Sequence, residues 1–126
     1  MGVSVPGIIN SNMYGIPFTG VDICGFIGDT TPELCARWTT IGALYPFSRN
    51  HNLFGSVDQE PYQPLFKARY EEGVTFEDII RNGIRRKYSV MRYMYAELTR
   101  VSMDGGQVYK PVFYEFPEDV NTWNSP

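Results

Sequence analysis

The most chemically pointed residues of the chain, Asp22 and His51, sit in the blocks GVDICGF and YPFSRNHN, each just after a short apolar run. A carboxylate accepts charge-assisted hydrogen bonds and an imidazole donates or accepts them, so two such groups at strand ends suit a binding or catalytic site. Each also has an ordinary reading. A lone aspartate in a glycine-rich turn usually caps that turn, here before Gly25, and a lone histidine is usually a solvated loop residue. His51 is the only histidine, so no histidine cluster can ligate a metal, and no serine or cysteine has a visible activating partner for a nucleophilic triad. Cys24 and Cys35 are too few for a disulfide-dense scaffold or a four-ligand zinc site, which leaves one bridge or two thiols.

The elements that position this pair follow from apolar spacing and stop signals. Val5, Ile8, Ile9 and Met13 fall at helical spacing between Val3 and Tyr14, with Pro6 and Gly7 marking a kink or first turn. Ile16 to Ile23 reads as a strand buried on both faces, with Pro17 near its start. Thr31 as N-cap, Pro32 at the first helical position and Glu33 in the first turn open a helix whose apolar face is Leu34, Trp38, Ile41 and Tyr45. Leu44 to Phe47 is a second short strand, and strand, helix, strand predicts a βαβ unit with a parallel sheet. Function in such sheets, and in (β/α)8 barrels, collects at the carboxyl ends of the strands, where Asp22 and His51 stand.

Downstream, Leu53 to Val74 reads as loop, with a helical turn within Leu65–Tyr70. Thr75 and Asp78 fit a capping box for a long helix running to about Met103, with Phe76, Ile80, Ile84, Tyr88, Met91, Tyr95 and Leu98 as its apolar stripe. The spacing of Trp38, Tyr88, Met91 and Tyr95 assigns them to core packing and not to ligand stacking. Asp104, Gly105 and Gly106 form a turn, Val108 to Phe116 alternates like a strand with Pro111 at an edge or bend, and the tail from Pro117 reads as loop.

A chain of 126 residues suffices for one modest core, and 43% hydrophobic residues is too apolar for a disordered tail. The net charge of -3 lacks the clustered cations that phosphate neutralisation needs. The six between Arg81 and Arg100 read as the solvent face of the long helix, so no nucleic-acid partner is expected. No apolar run approaches the ~20 residues that cross a bilayer, and no targeting signal is visible, so a soluble chain is expected.

Four blocks in order, Gly20–Phe26, Glu33–Trp38, Tyr45–Asn52 and Gln59–Tyr62, closely resemble glycoside hydrolase family 31, the α-glucosidases that include maltase-glucoamylase. The likeness continues more loosely through Arg86–Ser89 and Lys110–Pro117. It implies an α/β fold: residues 1–106 as the last two βα units of a catalytic (β/α)8 TIM barrel, and residues 107–126 as the start of a proximal β-sandwich domain, including its first strand. It further implies that Asp22 and His51 hydrogen-bond the non-reducing glucose in the -1 subsite, that Phe26 helps wall that pocket, and that Arg49 braces the loop through a carboxylate. Cys24 and Cys35 match positions that are disulfide-bonded in secreted and lysosomal members, which implies a secreted, lysosomal or vacuolar lumen. No cofactor or metal is implied. Val21 stands where alanine is usual, the loop Gln63–Thr75 is longer than in the animal enzymes, and Arg92 stands where proline is common; none of these touches the implied sugar contacts.

The family's nucleophile and acid/base motifs do not occur in the chain. Retaining glycoside hydrolysis needs two carboxyls about 5–5.5 Å apart. Asp29 and Glu33, the only nearby companions for Asp22, are accounted for by the start of a helix. Two strands also cannot close a barrel. The expectation is therefore a segment of a retaining α-glucosidase that catalyses nothing alone and docks with the rest of the barrel, possibly on another chain. The alternative is a truncated or split copy that serves as a non-catalytic structural or interaction subunit.

Overall fold

The computed structural model describes residues 1–123, which fall into two compact units: Met1–Thr19 together with the chain from Tyr93 onward, and Gly20–Arg92. In the first unit, helix α1 (Ser4–Met13) forms where apolar spacing predicts it. Pro6 is tolerated because it lies in the first turn, where a backbone N–H has no intrahelical acceptor. Ile8 is buried, whereas Val5 and Met13 stay exposed. The deepest polar group is Asn12. Its Nδ2 donates to Ile8 O (2.9 Å) and its Oδ1 accepts from the backbone N–H groups of Val108 (3.3 Å) and Tyr109 (3.1 Å).

That anchor explains one departure from expectation. Val108–Phe116 forms no strand: the donors a ladder would use at Val108 and Tyr109 go to Asn12, Pro111 has no N–H, and Val112–Tyr114 winds into a 3-10 turn. The expected tail loop contains a further 3-10 turn at Val120–Thr122, capped by Asp119, and its last three residues lie outside the described residues.

The second unit is built on a parallel pair, β1 (Asp22–Ile23) and β2 (Arg49–Asn50), joined by helix α2 (Pro32–Gly42). The βαβ reading holds, but both strands are shorter than expected and the second is displaced. The N–H groups of Gly15 and Ile16 bond back to Asn12 O and Ser11 O at the end of α1 and Pro17 has none to give, so the start of the run is withheld from a ladder; pairing begins at Asp22, and Ile16 and Phe18 are exposed. Leu44 and Tyr45 likewise donate to Ile41 O and Gly42 O, which defers the second strand from Leu44–Phe47 to Arg49–Asn50.

Helix α2 starts as predicted. Thr31 Oγ1 accepts from Leu34 N (3.2 Å), Pro32 opens the first turn, and Glu33 pairs with Arg37 one turn on. Its buried face is Cys35, Ala36, Thr39 and Gly42, whereas Leu34 and Ile41 are exposed and Trp38 is half-buried. Small residues win this face because the helix lies close to β1: a Cβ added at Gly42 would come within 2.5 Å of Ile23 Cδ1.

A 3-10 turn at Pro64–Lys67 buries Phe66 fully. The antiparallel hairpin β3 (Arg69–Glu71) and β4 (Val74–Thr75) then replaces the rest of the expected helical turn, with Gly73 at φ +73.

Helix α3 (Phe76–Asp104) begins with the predicted reciprocal box. Asp78 Oδ2 accepts from Thr75 N and Oγ1, and Thr75 Oγ1 accepts from Asp78 N. Its first part belongs to the second unit and its last part to the first. The expected stripe is corrected: Ile84, Tyr88, Met91 and Tyr95 are exposed, and the buried apolar side chains are Ile80, Met94 and Val101. Much of the helix's apolar surface therefore lies open.

Candidate substrate-binding site

Asp22 and Arg49 lie on β1 and β2, and Phe26 and His51 follow just beyond their carboxyl ends. Asp22 is opposite Arg49 and Ile23 opposite Asn50, and His51 N extends the ladder to Ile23 O (3.4 Å). Side chains alternate along a strand, so Asp22, Arg49 and His51 share the face away from α2, while Ile23 and Asn50 turn toward it.

On the first face, Arg49 donates from Nε (2.9 Å) and Nη2 (2.6 Å) to Asp22 Oδ1. The guanidinium also stands over the Phe47 ring, 5.9 Å from its centroid. Arg49 thus meets a carboxylate, and that carboxylate is Asp22 itself. With half of the arginine exposed, the pair adds little stability but fixes the orientation of Asp22.

Beyond Ile23 the chain turns sharply. Cys24 adopts φ 75, the only non-glycine among the described residues in the left-handed region. It is tied by a disulfide to Cys35 of α2, the Cα atoms 4.4 Å apart. Gly25 follows in space too tight for a side chain, since an added Cβ would lie 2.7 Å from Gly28 O and 2.8 Å from Thr30 N. The turn carries Phe26 out to His51, where the two rings stack with centroids 5.2 Å apart and planes at 26°. Asp22 pairs with Arg49, Phe26 with His51, and Cys24 with Cys35; no hydrogen bond joins Asp22 to His51 among the described residues.

Three further connections hold these loops, and motif reading did not single them out. Gln59, buried, accepts from Gly25 N at Oε1 (2.9 Å) and donates from Nε2 to Asn50 Oδ1 (2.7 Å), while Asn50 Nδ2 donates to Gln59 O (2.8 Å). Asp29 Oδ1 accepts from Val57 N (2.9 Å) and so fastens the loop after His51; the expected role at the start of α2 falls instead to Thr31 and Glu33. Lys87 of α3 donates to Tyr45 O (2.8 Å) and Ser48 Oγ (2.9 Å) just ahead of β2, and burial lowers its ammonium pKa. The sequence signal for Gln59 and Asn50 was their place inside the QEPY and RNHN blocks.

Asp29 is engaged by Val57 and Glu33 by Arg37, so neither supplies a second carboxyl to Asp22. A cavity of about 340 Å³ lies on the other side of the strands, lined by Ile23, Thr39, Ser48, Asn50, Lys87 and Met91 among others, and includes neither Asp22 nor His51. Among the described residues, no cluster of three or more His, Cys, Asp or Glu could hold a metal ion, and no helix is long and apolar enough to cross a membrane.

Residues 1–97 match the family model described as the TIM-barrel domain of glycosyl hydrolases family 31. The chain is 46% identical to mouse lysosomal alpha-glucosidase over 98% of its own length and 12% of that protein's. It is 38% identical to human probable maltase-glucoamylase 2 over 98% of its length and 5% of that protein's. The family 31 alpha-glucosidase structure from Bacteroides thetaiotaomicron superposes with a TM-score of 0.80 at 33% identity, covering 94% of this chain and 19% of that one. A glucosidase II alpha subunit structure gives 0.78 at 32% identity, covering 90% and 12%. The chain thus spans about an eighth of the lysosomal relatives it matches, and by the match of residues 1–97 to the family model it belongs to glycosyl hydrolase family 31.

Proposed function

We propose that residues 1–106 are the last two βα units of a catalytic (β/α)8 barrel and residues 107–126 the start of the following β-sandwich domain, in a retaining α-glucosidase that hydrolyses terminal α-linked glucose. Asp22 and His51 hydrogen-bond hydroxyls of the non-reducing glucose in the -1 subsite, and Phe26 walls the same pocket. Arg49 supports the site by holding Asp22. The observation that carries this reading is the convergence of the Asp22–Arg49 pair and the stacked Phe26–His51 rings at the carboxyl ends of adjacent parallel strands.

Arg49 engages only Oδ1 of Asp22, which leaves Oδ2 for sugar hydroxyls, and the aromatic stack limits the freedom of the imidazole. Such contacts raise turnover when they strengthen as the ring moves toward its oxocarbenium-like transition state. The two carboxyls that cleave the bond lie outside this chain. The open apolar side of α3, and Trp38 Nε1, which is buried without a partner among the described residues, suit docking against more of the barrel, on the same or another chain. The lysosomal relatives and the disulfide support a lysosomal, vacuolar or secreted setting.

In a complete α-glucosidase carrying this segment, Asp22→Asn and His51→Ala should each lower kcat/KM for a small α-glucoside at least ~10-fold, one charge-assisted contact being worth ~1.5–3 kcal/mol. Near-parental kinetics for both would overturn the assigned roles. Glucosidase activity of the isolated 126-residue chain would overturn the placement of the cleaving carboxyls elsewhere.

A further inference from the structure

We propose that Gln59 is a positioning residue that locks the Phe26 turn to the His51 strand and so maintains the stacked pair. This rests on the reading of Phe26 and His51 as substrate-contacting groups. Gln59 is 3% exposed, and its amide lies between the two segments that carry them. Oε1 accepts from the N–H of Gly25, the residue before Phe26; Nε2 donates to the side chain of Asn50, the residue before His51.

The orientation of every amide in this clasp is forced. A backbone N–H can only donate, so the side-chain oxygen of Gln59 must face Gly25 and its NH2 group must face Asn50. Asn50 must then offer Oδ1 to Gln59, which turns its own NH2 group to Gln59 O, a carbonyl that can only accept. Reversing the buried Gln59 amide would set donor against donor at Gly25 and acceptor against acceptor at Asn50; reversing Asn50, itself exposed, would mismatch both of its part-buried bonds to Gln59.

The surroundings explain why a side chain does this work. The ladder between β1 and β2 is two residues long, and His51 N reaches Ile23 O at a long 3.4 Å, so backbone pairing ends where the site begins. Gly25 has no room for a side chain of its own. Gln59 arrives from a separate loop and supplies the missing cross-link. Without it, Phe26 and His51 stay in the chain but lose the constraint that keeps their rings 5.2 Å apart.

The test uses a complete α-glucosidase carrying this segment, assayed on 4-nitrophenyl α-glucoside, with Phe26→Ala, Gln59→Leu and Gln59→Glu alone and in combination. Gln59→Leu keeps the volume and loses both amide contacts; it should lower kcat/KM roughly 10- to 100-fold, and its effect should shrink to about 3-fold or less when Phe26→Ala is already present, since the two changes act on one constraint. Gln59→Glu supplies a second readout if Gln59→Leu fails to fold. When protonated, the introduced carboxyl reproduces the amide pattern, accepting from Gly25 and donating to Asn50; when ionised it has no donor for Asn50 Oδ1. The activity ratio of this variant to the parent should therefore rise as pH is lowered, which a merely space-filling role would not produce. Additive losses with Phe26→Ala, or a flat ratio across pH, would overturn the positioning role. If Phe26→Ala and His51→Ala themselves leave kinetics unchanged, the substrate-site reading fails first, and the two failures are thereby distinguished.

Discussion

The Cys24–Cys35 bond can be separated into two contributions by choosing what replaces its first cysteine. The bond spans a sequence separation of 11 between the end of β1 and the second turn of α2. The chain-entropy model assigns a closure of this length about 3 kcal/mol at 25 °C. The second contribution is conformational: Cys24 is held at φ 75, where a residue with a Cβ is disfavoured by ~1–2 kcal/mol and glycine is not. Cys24→Ala with Cys35→Ala should therefore remove the cross-link and keep the backbone penalty, whereas Cys24→Gly with Cys35→Ala should remove both.

Hydrogen exchange of peptides covering residues 22–45, in a complete enzyme carrying this segment, reads the local opening free energy. The alanine pair should speed exchange on the order of 100-fold, tenfold for each 1.4 kcal/mol. The glycine pair should recover roughly 5-fold or more of that loss, minus the extra freedom glycine gives the open state. Equal exchange for the two pairs would refute the claim that the left-handed Cys24 is a cost the fold carries, and unchanged exchange for both would refute the entropic estimate.

Other expectations follow from single positions. Gly20→Ala would place a Cβ 1.8 Å from Phe47 O, and backbone cannot yield cheaply. It should cost ~3 kcal/mol or more, seen as loss of soluble folded protein on expression, whereas Gly7→Ala, with nothing within 4 Å, should be neutral or stabilise α1 by up to ~1 kcal/mol. At the start of α3, the hydrogen bond from Lys67 lowers the carboxyl pKa of Glu77, and those from Thr75 lower that of Asp78. Because both values are depressed, their stabilisation is fully present above the ordinary values of 4.5 and 3.8 and is lost as pH falls through the lowered ones. Exchange in the first turn of α3, corrected for its intrinsic pH dependence, should accelerate only below that range, and Asp78→Asn should flatten the acid response while retaining a cap. Protection that already falls between pH 7 and 5 would contradict this.

The two strong helix starts were legible because capping is local. Thr31 with Pro32, and Thr75 with Asp78, satisfy backbone groups within three residues of themselves, so the sequence contains both donor and acceptor. The strand–helix–strand order and the family were equally readable, because contiguous blocks carry both. Strand limits were not. Whether Ile16 or Leu44 joins a ladder depends on where its N–H is already engaged, and both bond back to the end of a helix. The stripe on α3 failed similarly: periodicity identifies an apolar face, but only the available neighbours decide whether Tyr88 and Met91 are covered.

Residue chemistry raised Asp22 and His51 as candidates and left Cys24 and Cys35 as one bridge or two thiols, and the family resemblance added Phe26 and Arg49 and tipped the rest. Only the tertiary structure decided who holds whom: that Arg49 meets Asp22, that Phe26 stacks on His51, and that Asp29 fastens the loop at Val57 instead of opening a helix. These contacts join residues far apart in the chain, and the parallel register that sets Asp22 opposite Arg49 is not encoded by any local preference. Gln59 marks the boundary between the two. Its amide looks ordinary in sequence and acquires a role only when the fold brings Gly25 and Asn50 to its two ends.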